Sequence, residues 1–376
     1  MAVKIVRRPN QIAILGAPTS AAALVPGHEL GPRALREAGL ADRLRSIGYD
    51  VLDLGDDPVL LAQPDNESPR ARNISAVLKS LEALKPRVES AVKSGALPLI
   101  LGGDCSIALA VVAGLRRYFR NPGMIYIDRD ADLNTPATTP SGCVDGMVVS
   151  HLIGRGAAEL VRFWGEPPLV REPGLVLFGV DRLDPPEEEF LARSPLRRYL
   201  ASDIQRKGAA AAAREAVERI HATRSEFVLH FDVDVIADFP ATNYPGERGL
   251  SLLQVREALE IFMTQKNLAA IEVASYNPQK DPDASGANTV IDLLVHALAA
   301  RAESLRAAAE ASAAPAAPPA APSASAAEPE AHSEAALPPV SAGEGWSSEV
   351  SDDSAASAEE SPDAPSAPES TEEHPS

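Results

Sequence analysis

The apolar run at residues 123–127 leads directly into Asp128, Asp130 and Asp132, three carboxylates at alternate positions. Side chains two apart on a strand share a face, so the three converge at the end of a buried strand. Like charges gathered on one face repel and are costly to desolvate unless cations balance them. A second apolar run, residues 227–231, leads into Asp232 and Asp234. Two strand ends that carry carboxylates in one domain point to a divalent metal site of the binuclear kind.

Around these two runs, apolar strands alternate with helical stretches, the pattern of an α/β domain with a mostly parallel sheet. Strands are expected at 12–15, 51–54, 99–101, 123–127, 175–180, 227–231 and 269–273. Helices are expected from Gly31-Pro32 through Leu44, and at 74–92, 107–115, 147–153, 187–192, 209–220, 252–263 and 290–305. Pro86 is expected to kink or divide the 74–92 helix. Most polar candidates fall at or just after strand C-terminal ends, where α/β sheets place their ligands.

Composition separates the last part of the chain. From Ala307 onward there is no Lys or Arg and hardly any large apolar residue, only Ala, Pro, Ser and Glu with few others. Such a segment cannot bury enough surface to offset its ordering entropy, which predicts a disordered tail over 306–376 beside a folded domain over 1–305. The tail holds fourteen acidic residues; removing them from the formal charge of −18 leaves −4 for the rest. The acidity therefore belongs mainly to the tail, and nothing argues for nucleic acid or an anionic membrane as partner. Two cysteines, Cys105 and Cys143, make no disulfide framework and fit a reducing compartment. Lys4, Arg7 and Arg8 before an apolar stretch resemble a leader, but Gly16, Pro18 and Pro26 break any helix there. The expectation is a cytoplasmic protein.

The ordered set Gly16-Ala17-Pro18, Gly31-Pro32-Arg33, Gly102-Gly103-Asp104-Cys105-Ser106, Asp128 to Asn134, Ser141-Gly142-Cys143-Val144-Asp145-Gly146-Met147, Phe231-Asp232-Val233-Asp234 and Glu272 resembles the ureohydrolase family. That family includes arginases, agmatinases, guanidinobutyrases and formiminoglutamases. The resemblance covers roughly residues 12–305. It implies an arginase-like three-layer α/β/α domain, often oligomeric, with two divalent ions, Mn²⁺ being the best single assignment, that generate a hydroxide to attack a guanidino or amidino carbon. By the same resemblance Cys105, Asp128, Asp132 and Asp232 hold one ion, and Asp128, Asp130, Asp232 and Asp234 the other. Glu272 matches the partner of the substrate guanidinium. Asn134, Ser141 and Cys143 match positions that contact the remainder of a small guanidino or amidino substrate.

Three departures qualify that picture. The family has histidine where this chain has Cys105, Asp130 and Asp145. Cysteine and aspartate still ligate metals, so coordination is altered rather than lost. Five aspartates and a thiolate would set six negative charges against four from two divalent ions, an excess that restoring histidine at 105 and 130 would remove. Asp145 is open between proton shuttle, extra ligand and polar loop residue, and Cys105 between ligand and small buried residue. His230, on the same strand face as Asp232, reads as a satisfied core histidine, with replacement of a lost ligand as the alternative. His151 reads as packing, and Arg129 as alternating away from the aspartate face. The reading is a hydrolase of linear C–N bonds; a catalytically impaired member serving as scaffold or binding protein is the alternative.

Overall fold

The computed structural model describes residues 5–223 and 226–313. One sheet contains β1 (Gln11–Ala17), β2 (Asp50–Asp56), β3 (Leu97–Gly102), β4 (Gly123–Ile127), β5 (Leu175–Val180), β6 (Arg197–Leu200), β7 (Phe227–Asp232) and β8 (Leu268–Ala274). The strand order is β2-β1-β3-β8-β7-β4-β5-β6 and every neighbouring pair is parallel. Parallel neighbours require crossovers. The helices that cover the sheet are α1 (Gly31–Glu37), α2 (Leu40–Ser46), α3 (Ile74–Ser94), α4 (Ile107–Leu115), α5 (Val148–Leu152) and α6 (Ala158–Arg162). They continue with α7 (Pro185–Arg193), α8 (Ala201–Lys207), α9 (Ala209–Ala222), α10 (Leu252–Met263) and α11 (Ser285–Ala313).

Strand side chains alternate between two cores, as period two dictates. Ile125 and Ile127, Val176 and Phe178, and Phe227, Leu229 and Phe231 enter the core closed by α1, α2 and α8–α11. Met124 and Tyr126, Leu175 and Leu177, and Val228 enter the opposite core, closed by α3–α7. This is the expected three-layer α/β/α architecture. Asp128 and Asp232 continue the Tyr126 and His230 rows, so both emerge on the α3–α7 side. The pair β8-β7 is inserted between β3 and β4, so the chain order reverses there. Ligand crevices of open α/β sheets form at such a reversal.

Several expectations need correction. The helix anticipated from Gly31 to Leu44 is two helices, because Gly39 sits at φ +87°, a left-handed conformation that ends a helix. Pro86 does not divide α3. Burial of Val77, Leu81, Leu84, Val88 and Val92 along one stripe, at about 1.5–3 kcal/mol per side chain, outweighs a proline penalty of about 3 kcal/mol. Strand β6 and helices α6 and α8 were not anticipated, being short and weakly patterned. The closing helix continues to Ala313, past the point where disorder was expected, since its alanines are strong helix formers. The rest of the predicted tail lies outside the described residues. Among the described residues, no helix is long and apolar enough to cross a membrane.

His151 is packing, as read, and carries a pH signature. Its Nδ1 lies 2.7 Å from the Met147 carbonyl and must donate, so Nε2 accepts from the Ala157 N–H at 3.1 Å. Burial lowers its pKa from 6.5 to about 4. Between those values the unfolded chain binds more protons than the folded one. The neutral ring's contribution is therefore complete above about pH 6.5 and declines as pH falls toward 4, by about 3 kcal/mol in all. Urea unfolding of His151→Gln should show a shallower dependence of stability on pH across this window. Equal slopes for variant and parent would contradict the assignment.

Candidate metal centre

The turn after β3 sets the first wall of the site. Gly103 is required there, since a Cβ would stand 2.1 Å from the Thr19 carbonyl oxygen. Asp104 pins the turn: it accepts from the Ala22 N–H at 2.9 Å and from both the backbone and hydroxyl of Ser106. Cys105 is thereby turned inward. Its thiol donates to Asp232 Oδ2 at 2.8 Å and its N–H to Asp145 Oδ1 at 2.9 Å.

From β4 and β7 come the carboxylates. Asp128 Oδ1 accepts from the Asp130 N–H at 2.7 Å, and Asp232 Oδ1 accepts from the Asp234 N–H at 2.8 Å. These equivalent local turns curl each strand end so that alternate carboxylates face one pocket. Ser275, just past β8, donates its hydroxyl to Asp232 Oδ2 at 2.5 Å. Cys105, Asp128, Asp130, Asp132, Asn134, Ser141, Cys143, Asp145, Asp232 and Asp234 all line this pocket.

The residues differ in how free they are to bind a cation. Among the described residues, two groups have ligand atoms mutually within 4.8 Å: Cys105, Asp128, His230 and Asp232, and separately Asp128, Asp130 and Asp234. Asp132 belongs to neither; it adopts φ +50° and accepts from the Tyr126 hydroxyl at 2.5 Å. Asp130 is engaged by the Arg182 guanidinium through two nitrogens. Arg129 does not turn away as expected, since its guanidinium reaches 3.7 Å from Asp234 Oδ2 and donates to the Tyr244 carbonyl.

Glu272 is not in the pocket. It lies within β8, in register with His230 rather than Asp232, and is fully buried. One strand step of two residues, about 6.6–7 Å, separates that level from the carboxylates. Its Oε1 lies 2.8 Å from His230 Nδ1. The assignment of Glu272 to a substrate guanidinium is therefore corrected: a carboxylate beneath the site cannot reach a substrate above it. The position past β8 that touches the cluster is Ser275.

Burial pushes the carboxyls of Asp128, Asp132, Asp145 and Asp234 well above the usual range, and neighbouring carboxylates add to the effect. Burial likewise raises the Cys105 thiol, again reinforced by nearby carboxylates. So many acids cannot ionise together in a dry pocket unless cations balance them. Asp234 Oδ1 and His230 Nε2 are buried with no hydrogen-bond partner among the described residues. Oxygen, sulfur and imidazole donors with such orphaned atoms fit a divalent metal centre.

The outer pocket is polar. Asn134 donates to Asp184 Oδ2 at 2.7 Å, and Glu187 accepts from the N–H groups of Leu133 and Asp184, each at 2.8 Å. Ser141 Oγ accepts from the Cys143 N–H at 3.1 Å. Arg182, Asp184, Glu187 and Tyr244 line the pocket but were not singled out in the sequence. Arg182 and Asp184 are charged residues soon after β5 and Glu187 sits in the first turn of α7, which are weak signals, and Tyr244 carries none.

The family model described as Arginase family matches residues 10–300. The arginase of Bacillus caldovelox is 31% identical over 287 residues, 75% of this chain and 96% of its own. The crystal structure of arginase from Bacillus cereus superposes with a TM-score of 0.72 at 29% identity, covering 77% of this chain and 98% of that one. At 17% identity, formiminoglutamase of Trypanosoma cruzi, solved with Mn²⁺, shares the fold with a TM-score of 0.60 over 77% of this chain and 93% of its own.

Proposed function

Because this chain belongs to the arginase family of ureohydrolases, we propose that it hydrolyses a linear C–N bond of a small guanidino or amidino compound in a divalent-metal-dependent reaction. The observation that carries the reading is the convergence of Cys105, Asp128, Asp130, Asp232 and Asp234 on one pocket at the C-terminal ends of β3, β4 and β7. In this reading Cys105, Asp128 and Asp232 contribute to one metal position, and Asp128, Asp130 and Asp234 to a second. When bound, divalent ions supply a hydroxide at neutral pH and polarise the carbon under attack, with Mn²⁺ the first ion to test.

The chain's own groups do the rest. Asp145, fixed through Oδ1 by the Cys105 N–H, keeps Oδ2 to pass a proton to the leaving amine. Asn134, Ser141 and Cys143 orient the substrate beyond the reacting carbon. Cys143 offers no side-chain amide to a carboxylate, and on the outer wall Asp184 and Glu187 outnumber Arg182, which is paired with Asp130. Both features favour guanidino amines over an amino acid such as arginine. The second position is the weaker one, since a metal there must take Asp130 from Arg182. We assign the protein to the cytoplasm, where two free cysteines remain reduced.

The test is a panel of arginine, agmatine and shorter guanidino acids and amines, assayed for urea release with Mn²⁺, Ni²⁺, Zn²⁺, Fe²⁺ and Mg²⁺. Turnover of at least one pair is expected, with agmatine ahead of arginine. Folded, metal-loaded protein that turns over none of them would overturn the reading in favour of a scaffold.

A further inference from the structure

We propose that His230 is a metal ligand in this chain, held in place by Glu272, so that the first metal position is formed by Cys105, Asp128, His230 and Asp232. The proposal rests on the pocket being a metal centre and adds which residues hold the ion there and which ion they select.

The observations concern a buried layer directly beneath the carboxylates. His230 is fully buried, and its ring stacks on Tyr126 at 4.0 Å between centroids and 6° between planes. Its Nδ1 is taken by Glu272 at 2.8 Å, while Nε2 has no partner among the described residues. A core histidine satisfied by its surroundings would use both nitrogens, as His151 does. A ring nitrogen of His230 lies with Cys105 Sγ and the Asp128 and Asp232 oxygens in a set spanning no more than 4.8 Å. Metal–ligand bonds of about 2.0–2.3 Å place tetrahedral ligand atoms about 3.3–3.8 Å apart, so shifts of order 1 Å close this set on an ion.

The backing carboxylate gives Glu272 its purpose. Metal-bound histidines commonly hand their second nitrogen to a carboxylate, which fixes the tautomer and ring orientation. Here Glu272 holds the proton on Nδ1 and presents Nε2 as a lone-pair donor. Asp132 is correspondingly withdrawn, because the Tyr126 hydroxyl holds it. A histidine rising from one layer below thus supplies a nitrogen donor to a shell whose other residues are a cysteine and two aspartates. One thiol, one imidazole and two carboxylates suit Zn²⁺ or Co²⁺ better than Mn²⁺, which prefers oxygen donors.

The test uses the full chain labelled with ¹⁵N-histidine and titrated with Zn²⁺, alongside a Co²⁺ titration read in the thiolate-to-metal absorption band. Binding should move the His230 Nε2 resonance to a metal-bound shift, and the cobalt complex should show the thiolate band. Glu272→Gln, a positioning change, should weaken Zn²⁺ about 10–100-fold while His230 still shows the bound shift at saturation. The double variant His230→Phe/Glu272→Leu keeps the stack on Tyr126 and leaves no buried charge unpaired. It should lose the tight Zn²⁺ site while remaining folded. Zn²⁺ bound equally tightly by parent and double variant, with an unmoved Nε2 resonance, would overturn the role of His230 but leave the metal centre standing. A parent chain that binds neither ion would overturn both.

Discussion

Asp232→Ala is expected to leave the chain folded while weakening divalent-metal binding by more than about 10²-fold and abolishing turnover. The limit follows because groups that merely support a ligand already cost about 10–100-fold when changed, and Asp232 stands in the cluster itself. Its carboxylate is the junction of the site. Oδ2 accepts from both Cys105 Sγ and Ser275 Oγ, and Oδ1 accepts from the Asp234 N–H. Removing it relieves like-charge repulsion with Asp128 and Asp234, which offsets part of the cost of leaving its three buried donors unpaired, so the protein without metal is expected to stay folded. The readout is thermal unfolding with and without metal. Saturating the parent at about 100 times its Kd adds about 2.7 kcal/mol, and the variant should gain essentially nothing. An undiminished metal-induced shift in the variant would remove Asp232 from the ligand set.

Phe178→Ala should have the reverse profile, a large loss of stability with an unchanged metal site. Phe178 is fully buried in β5, edge-on to Phe262 at 5.1 Å and tilted against Tyr199 at 5.8 Å. Truncating a buried phenylalanine removes its transfer energy and leaves a cavity, together about 3–5 kcal/mol. Against a typical stability of about 5–15 kcal/mol this is a severe change. Its side chain enters the core on the α8–α11 side, whereas Asp128 emerges on the other, so metal stoichiometry under native conditions should be retained. Chemical denaturation and metal analysis check the two halves separately. A loss below about 1 kcal/mol would mean that α10 closes over the gap.

Much of the site is legible in the sequence. Alternate aspartates after Ile127 and Phe231 could serve one pocket only if their strands were neighbours, and β4 and β7 are paired in register. Ten of the eleven residues read as site candidates line that pocket, all but Glu272. Glu272 escaped the same reasoning because a linear sequence gives a strand's face but not its register. Two residues of register decide whether a carboxylate stands in the site or beneath it. His230 stayed open between two readings for a related reason: whether a buried imidazole is satisfied depends on both nitrogens, and only packing reveals that Nε2 is idle. Arg182 and Arg129 show a third limit. Arg182 reaches Asp130 from the neighbouring strand end and Arg129 reaches Asp234 across the β4–β7 pair, and which strand ends are neighbours is not readable from a linear sequence.

These contacts refine the account of charge. The lost histidines raised the prospect of an over-negative shell, and the structure answers part of it with two arginines. Arg182 meets Asp130 and Arg129 approaches Asp234, so the second metal position carries protein cations of its own. Among the described residues the first has none on its ligands, and its Cys105 thiol and the Ser275 hydroxyl meet Asp232. An ion should therefore enter the first position before the second.

The most direct measurement is the metal content of the full-length chain after chelation and reloading, determined by elemental analysis on protein shown to be folded. At least one tightly held divalent ion per chain is expected, removed by chelator and restored by Zn²⁺ or Mn²⁺. A folded chain that retains no ion after reloading would contradict that expectation.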